Sequence, residues 1–400
     1  MLLLAGFLLF SVQQIYAAIG NRVDWEDKHL LVPQLVRKYG YPIEEHQVHT
    51  EDGYILSVHR IPNRGTTSEG KHPILMMNSL FSSSAEWVLI GPKHGLAYLL
   101  ADQGYDVWMG NARGNRYSRQ HEQLQIAQPG FWNFTFHEIG FYDVPALVDY
   151  VLRQTKAPRL HYIGFSQGAL VGFVALSYRP EYNPKVIQLQ AFSPAVFVDR
   201  NPSTVITILT HLAEDISKRY TSANKFQFAA HSDGEAKFLQ RLCSPPTQVL
   251  CRLLIHDVVG ANPSNLDSKM LQIFLGHFPA GSSLKQVLHF AQMAQDGIFR
   301  QYDYGDAESN RQVYGGNGTV PGYDLTRVTA SVRTYFGLND NTINYRNVRR
   351  LEQMLPNLAG SYPVPDELFT HFDFILGNNV RTVLYDEVLR RVNEAENGLG

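Results

Sequence analysis

A mostly parallel central sheet with helices on both faces, an α/β architecture interrupted by a long, mainly helical insertion, is predicted by this 400-residue chain. Three observations carry that reading. Short apolar runs alternate with amphipathic stretches through the first half, the βαβα rhythm of a parallel sheet covered on both sides. The rhythm stops near Phe197 and returns with a strand-like run at Val332. Finally, a composition of 44% hydrophobic and 18% charged residues supplies enough apolar material for a large buried core.

Residues 1–18 open with an apolar run from Leu2 to Val12, followed by the small residues Ala17 and Ala18. The run is too short to span a bilayer and reads as a cleaved secretory signal peptide, although only the α-amino group supplies positive charge before it. A membrane anchor is the competing reading. No later stretch approaches the roughly 20 uninterrupted apolar residues of a spanning helix. Gly53 to Ile61 alternates as a half-exposed strand does, whereas Ile74 to Met77 is a short apolar run suited to a buried parallel strand. Leu96 to Leu100 lies in a predicted helix, and Gly104 to Met109 forms the next strand. Val144, Leu147, Val148 and Val151 mark one face of a helix over Val144 to Leu152. Leu160 to Gly164 reads as strand, Ala169 to Leu176 as helix and Val186 to Ala191 as strand. Late in the chain, Val332 to Phe336 is a strand and Val380 to Val392 a helix.

This order divides the chain into a signal segment (1–18), a core (19–196 and 322–400) and an inserted cap (197–321). A tandem second domain is the alternative, and the return of a core-like strand near Val332 argues against it. With 35 basic and 37 acidic residues the net charge is −2, so there is no basic excess for nucleic acid and no acidic tail. The only two cysteines, Cys243 and Cys251, are close enough to close a short loop by a disulfide in an oxidising compartment; two buried thiols are the other reading. Asn133-Phe-Thr and Asn317-Gly-Thr are N-glycosylation sequons that suit a secreted chain.

The chemistry concentrates at Gly164-Phe-Ser-Gln-Gly168, set between an apolar strand and a helix. That is the context of a nucleophile elbow, whose sharp turn crowds the backbone and excludes a Cβ at the flanking positions. Ser166 is therefore the predicted nucleophile of an α/β-hydrolase fold. A serine hydroxyl needs a base held in the right tautomer, and in this fold the order along the chain is nucleophile, acid, base. After His289 only His371 remains, which makes it the base. Asp340 follows the late strand at the turn where the acid belongs, whereas Asp303, Asp306 and Asp324 lie in or beside the cap and Asp373 breaks the order. Its role would be to orient the imidazole and stabilise the imidazolium. The oxyanion hole needs backbone N–H donors, predicted to come from Gln167 and from Leu80 in the loop after the Ile74–Met77 strand. No His-Glu-x-x-His and no tight His/Cys cluster points to a metal, and Gly315-Gly-Asn-Gly318 reads as a turn because it lacks the lysine and helix of a phosphate loop.

From about Leu35 to Leu389 the chain resembles the acid lipase family that includes gastric and lysosomal acid lipases, in its insect-type branch. The stretches that carry the likeness are Gly40-Tyr-Pro42, His49-Thr-Glu-Asp-Gly-Tyr-Ile-Leu56, Gly104-Tyr-Asp-Val-Trp108, Gly110-Asn-Ala-Arg-Gly114, the elbow, His277-Phe-Pro-Ala-Gly-Ser282, Gly337-Leu-Asn-Asp340 and His371-Phe-Asp-Phe374. The resemblance implies the same three catalytic residues and a mobile lid that opens at a lipid–water interface. It also implies triacylglycerol or cholesteryl ester substrates, acidic working pH, no cofactor, and a cap cysteine pair at Cys243 and Cys251. Secretion, to a gut lumen or similar, and lysosomal delivery begin with the same signal peptide. Two departures stand out. Asn78-Ser79-Leu80 replaces the family's His-Gly-Leu, and a glycine conformation closed to serine would misaim the Leu80 amide, leaving a catalytically impaired lipid-binding protein on the same fold. Phe165 replaces a common histidine inside the elbow.

Overall fold

The computed structural model describes residues 23–63 and 71–398; the signal segment 1–18 lies outside them. The strands, in chain order, are β1 (Glu44–His49), β2 (Tyr54–Ile61), β3 (Ile74–Met77), β4 (Val107–Gly110), β5 (Gln120–His121), β6 (Leu160–Phe165), β7 (Val186–Phe192), β8 (Gln227–Phe228), β9 (Ser282–Ser283), β10 (Ser331–Phe336) and β11 (Leu358–Pro363). Among the described residues, nine of them form one sheet in the order β1-β2-β4-β3-β6-β7-β10-β11, with β5 paired to β2. From β4 to β11 every pairing is parallel, while β2 pairs antiparallel with β1, β4 and β5.

Each central strand feeds two cores. Leu75 and Met77 point into one cluster with Leu147, Val148 and Leu170, while Ile74 and Met76 point into the other with Leu100, Val388 and Val392. The two-residue period of a strand separates the sets, so a strand covered on both faces must be apolar at every position. The helices that matter below are α1 (Val144–Thr155), α2 (Gln167–Tyr178), α3 (Thr204–Ser222), α4 (Asp233–Leu242), α5 (Gln248–Val259), α6 (Leu284–Asp296) and α7 (Asp386–Glu396). Helix α2 is buried from Gln167 to Ser177, which explains why it is apolar all round rather than amphipathic.

Several elements differ from the sequence reading, and β1 at Glu44–His49 is one that it did not name. The strand expected from Gly104 starts at Val107, because Gly104 takes φ +86 in the turn before it. The last helix begins with a wide, π-type turn over Arg381–Tyr385 before α7. Strand β11 was not anticipated: Leu358-Ala-Gly-Ser-Tyr-Pro363 sits at the sheet edge with no buried residue, so it lacks alternation. Between β7 and β10 the regular elements are helices apart from the short β8–β9 pair, joined by irregular loops. A disulfide joins Cys243, just after α4, to Cys251 in the first turn of α5.

Candidate active site

Strand β6 delivers Ser166 at φ 54 and ψ −113, a backbone region that non-glycine residues rarely enter. The turn is held by Ser166 N–H donating to Phe192 O at 2.8 Å and by Ser166 O accepting from the Leu170 N–H at 3.1 Å. Both flanking glycines are required by contact. A Cβ on Gly164 would lie 2.5 Å from the Gly168 carbonyl, and one on Gly168 would lie 1.9 Å from Met77 O. The second contact matters twice, because it also seats the elbow directly on the carbonyls of Met77 and Asn78 that begin the loop after β3.

Asp340 occupies the turn after β10. Its Oδ1 accepts from the amides of Thr342 and Ile343, both at 2.8 Å, which fixes the carboxylate plane. Its Oδ2 accepts from His371 Nδ1 at 2.7 Å and from Ser193 Oγ at 2.6 Å. A carboxylate only accepts, so this contact puts a proton on Nδ1, and in the neutral imidazole Nε2 then keeps its lone pair. The His371 amide donates to Val259 O at 3.1 Å, and the ring lies against that of Phe165, with centroids 4.7 Å apart. Asp373 serves the same loop by accepting from the Thr370 N–H at 2.8 Å. The structure therefore brings Asp340 and His371 into contact and places Ser166 next in sequence to the residue whose ring lies tilted against the imidazole. Among the described residues no hydrogen bond joins Ser166 Oγ to His371; such catalytic contacts are often loose before substrate binds.

The loop Asn78-Ser79-Leu80-Phe81 follows β3. Neither the Leu80 nor the Gln167 amide donates a hydrogen bond among the described residues. The residue with positive φ in this loop is Phe81, at 60°, and not Ser79, so the serine that replaces the family's glycine sits in ordinary backbone. The Gln167 side chain accepts from Gln286 Nε2 at 2.8 Å, a residue of α6, which also donates to Ser282 Oγ.

Ser193, Gln286 and the Val259 carbonyl were not anticipated. Ser193 follows β7, the strand between the elbow strand and the acid strand, so only the strand order brings it to Asp340. All three predicted triad residues are covered, Ser166 being 6%, Asp340 3% and His371 5% exposed. Asn133 and Asn317 lie at the surface, and Lys285 Nζ donates to Asn133 Oδ1 at 2.9 Å. Among the described residues no three His, Cys, Asp or Glu side chains converge as metal ligands, and no helix is long and apolar enough to cross a membrane.

The model of the α/β hydrolase fold matches residues 72–357, and that of a partial α/β-hydrolase lipase region matches residues 32–91. The chain is 40% identical over 373 residues to Lipase 1 of Drosophila melanogaster, covering 93% of this chain and 82% of that one. It is 32% identical over 369 residues to the human gastric triacylglycerol lipase, covering 91% of each. The chain belongs to the gastric-lipase family of α/β-hydrolases. A soluble variant of the Saccharomyces cerevisiae monoglyceride lipase shares the fold of this family member, with a TM-score of 0.51 at 14% identity over 89% of this chain and 98% of that one. The helical stretch between β7 and β10 of this family member carries the contacts to the site just described: the Val259 carbonyl from α5 and the Gln286 amide from α6.

Proposed function

We propose that this family member is a serine lipase that hydrolyses carboxylic esters of neutral lipids through an acyl-enzyme on Ser166. The observation that carries the reading is the buried His371–Asp340 contact beside a serine held at φ 54. His371 Nε2 takes the Oγ proton as Oγ attacks the ester carbonyl carbon, and the oxyanion forms against the Leu80 and Gln167 amides. On collapse the carbon–oxygen bond to the alcohol breaks, and the imidazolium returns its proton to the leaving oxygen. Water then adds to the acyl-enzyme, giving a proton to Nε2, and the fatty acid leaves as that proton returns to Ser166.

Residues 197–321 act as a cap over this centre. Supporting an interfacial role, Ile208, Leu209 and Leu212 on α3 and Val249, Leu250, Leu253 and Leu254 on α5 expose 43–65% of their surface at helical spacing. Apolar stripes of this kind mark surfaces that meet lipid or a partner, and the covered serine requires the cap to move before a bulky ester enters. Triacylglycerols and cholesteryl esters are the substrates, met after secretion or lysosomal delivery, with glycans on Asn133 and Asn317. The test is hydrolysis of emulsified triolein and a cholesteryl ester between about pH 4 and 8, with Ser166→Ala as control and fluorophosphonate labelling of Ser166. Turnover lost with Ser166→Ala is expected. A folded, glycosylated protein that binds lipid but cleaves no acyl ester would instead be the impaired lipid-binding form that the Asn78-Ser79 departure raised.

A further inference from the structure

We propose that Asn78, Ser79 and Glu86 form one support that fixes the Ser79–Leu80 peptide plane and so aims the Leu80 N–H, with Glu86 as a positioning residue for the oxyanion hole. The inference rests on the serine-hydrolase reading above and deepens it.

Glu86 lies in the short helical turn Ser84–Trp87 and is 1% exposed. Both its oxygens serve one residue: Oε1 accepts from Ser79 N–H at 3.0 Å and Oε2 from Ser79 Oγ at 2.7 Å. The next carbonyl, Ser79 O, accepts from Asn78 Nδ2 at 2.8 Å and from Ser82 N–H at 3.2 Å. In a trans peptide the N–H points opposite to the C=O. Pinning Ser79 O on one side therefore turns the Leu80 N–H to the other, where it donates to nothing among the described residues. Four hydrogen bonds thus hold the residue before the donor, and two of them exist only because position 79 is a serine or position 78 an asparagine.

Beyond Ser79 the Glu86 carboxyl has few polar neighbours. Among the described residues it pairs with no Lys, Arg or His; Ser82 and the Tyr385 hydroxyl are the remaining polar groups that act on it or feel it. A buried carboxyl without a cation is expensive unless hydrogen bonds satisfy it. Burial pushes the Glu86 carboxyl up to about 7 against the pull of Ser79 and Ser82. The support survives protonation, since a neutral carboxyl donates to Ser79 Oγ while still accepting from Ser79 N–H. An amide does the same, which makes Glu86→Gln the conservative probe.

The experiment compares wild type, Ser79→Ala, Glu86→Leu and Glu86→Gln, each checked for folding by circular dichroism. Deleting an oxyanion donor lowers turnover about 10²–10³-fold; Ser79→Ala and Glu86→Leu, which misaim one, are expected to lower kcat about 10–100-fold. Binding of a non-hydrolysable ether analogue of triacylglycerol should stay as in wild type. Glu86→Gln should restore kcat, and amide hydrogen exchange of segment 78–82 should speed up in Glu86→Leu but not in Glu86→Gln. A folded Glu86→Leu with wild-type kcat and exchange overturns the proposal, as does a Glu86→Gln that falls as far as Glu86→Leu. If wild type itself shows no turnover, the serine-hydrolase reading fails, and the exchange comparison still decides whether the support exists.

Discussion

Asp340 Oδ2 receives two hydrogens, from His371 Nδ1 and from Ser193 Oγ. Ser193→Ala removes a hydrogen bond to a buried charged group, and unfolding in denaturant is expected to show a loss of about 1–3 kcal/mol. The Thr342 and Ile343 amides keep the carboxylate plane in place, so kcat should fall only a few-fold while KM holds. A collapse of kcat as deep as that of Ser166→Ala would mean that Ser193 takes part in the chemistry. Ser166 itself stores strain at φ 54; such conformations cost about 1–3 kcal/mol, and glycine relieves them. Ser166→Gly should therefore unfold at higher denaturant than Ser166→Ala, and equal midpoints would remove the case for a strained nucleophile. The sharp turn at Ser166 and the meeting of Asp340 with His371 were legible in the sequence because elbow glycines and chain order are local or one-dimensional facts. Ser193 and Glu86 were not, since nothing local distinguishes a serine after a strand from one that reaches a carboxylate 147 positions away.

Helix α5 faces two ways. Outward, Val249, Leu250, Leu253 and Leu254 meet solvent. Inward, its last carbonyls hold the loops of both His371 and Asp340: Val259 O accepts from the His371 amide and Val258 O from Thr342 Oγ1. Gly260, which ends the helix at φ +103, has no room for a side chain, as a Cβ would lie 2.0 Å from Asn339 O. Gly260→Ala is expected to disturb the Asp340 turn and lower kcat on every substrate, soluble or emulsified. Leu253→Glu, at a position 61% exposed, should leave stability and soluble short-chain ester hydrolysis unchanged while weakening emulsion binding and turnover of triolein. Equal loss on both substrates would place Leu253 outside any lipid-facing surface. In sequence this region read only as helical and loop-like. Helices whose apolar residues face solvent do not announce a core side, whereas β3, buried on both faces, announced itself with four apolar residues in a row.

Buried titrating groups make the stability of the whole molecule a contest across the acidic range. Burial lowers His59 and His277 to about 4 and His289 to about 3, so all three are neutral in the fold. Their contribution is full above the unfolded value of about 6.5 and is lost as pH falls toward 4 and below, because the unfolded chain takes up those protons first. Glu86 acts in the opposite sense. Raised to about 7, it favours the fold most below the unfolded value of about 4.3 and loses that advantage as pH rises through 7. A histidine's or carboxylate's burial cannot be read from sequence, so neither effect was visible there. Urea unfolding of wild type, His289→Gln and Glu86→Gln at several values between pH 4.5 and 7.5 separates them. The stability of wild type relative to Glu86→Gln should grow as pH falls from 7 to about 4.5. Relative to His289→Gln it should shrink over the window from about 6.5 downward. Parallel stability curves for the three proteins would mean that these groups titrate in the folded chain as they do in the unfolded one.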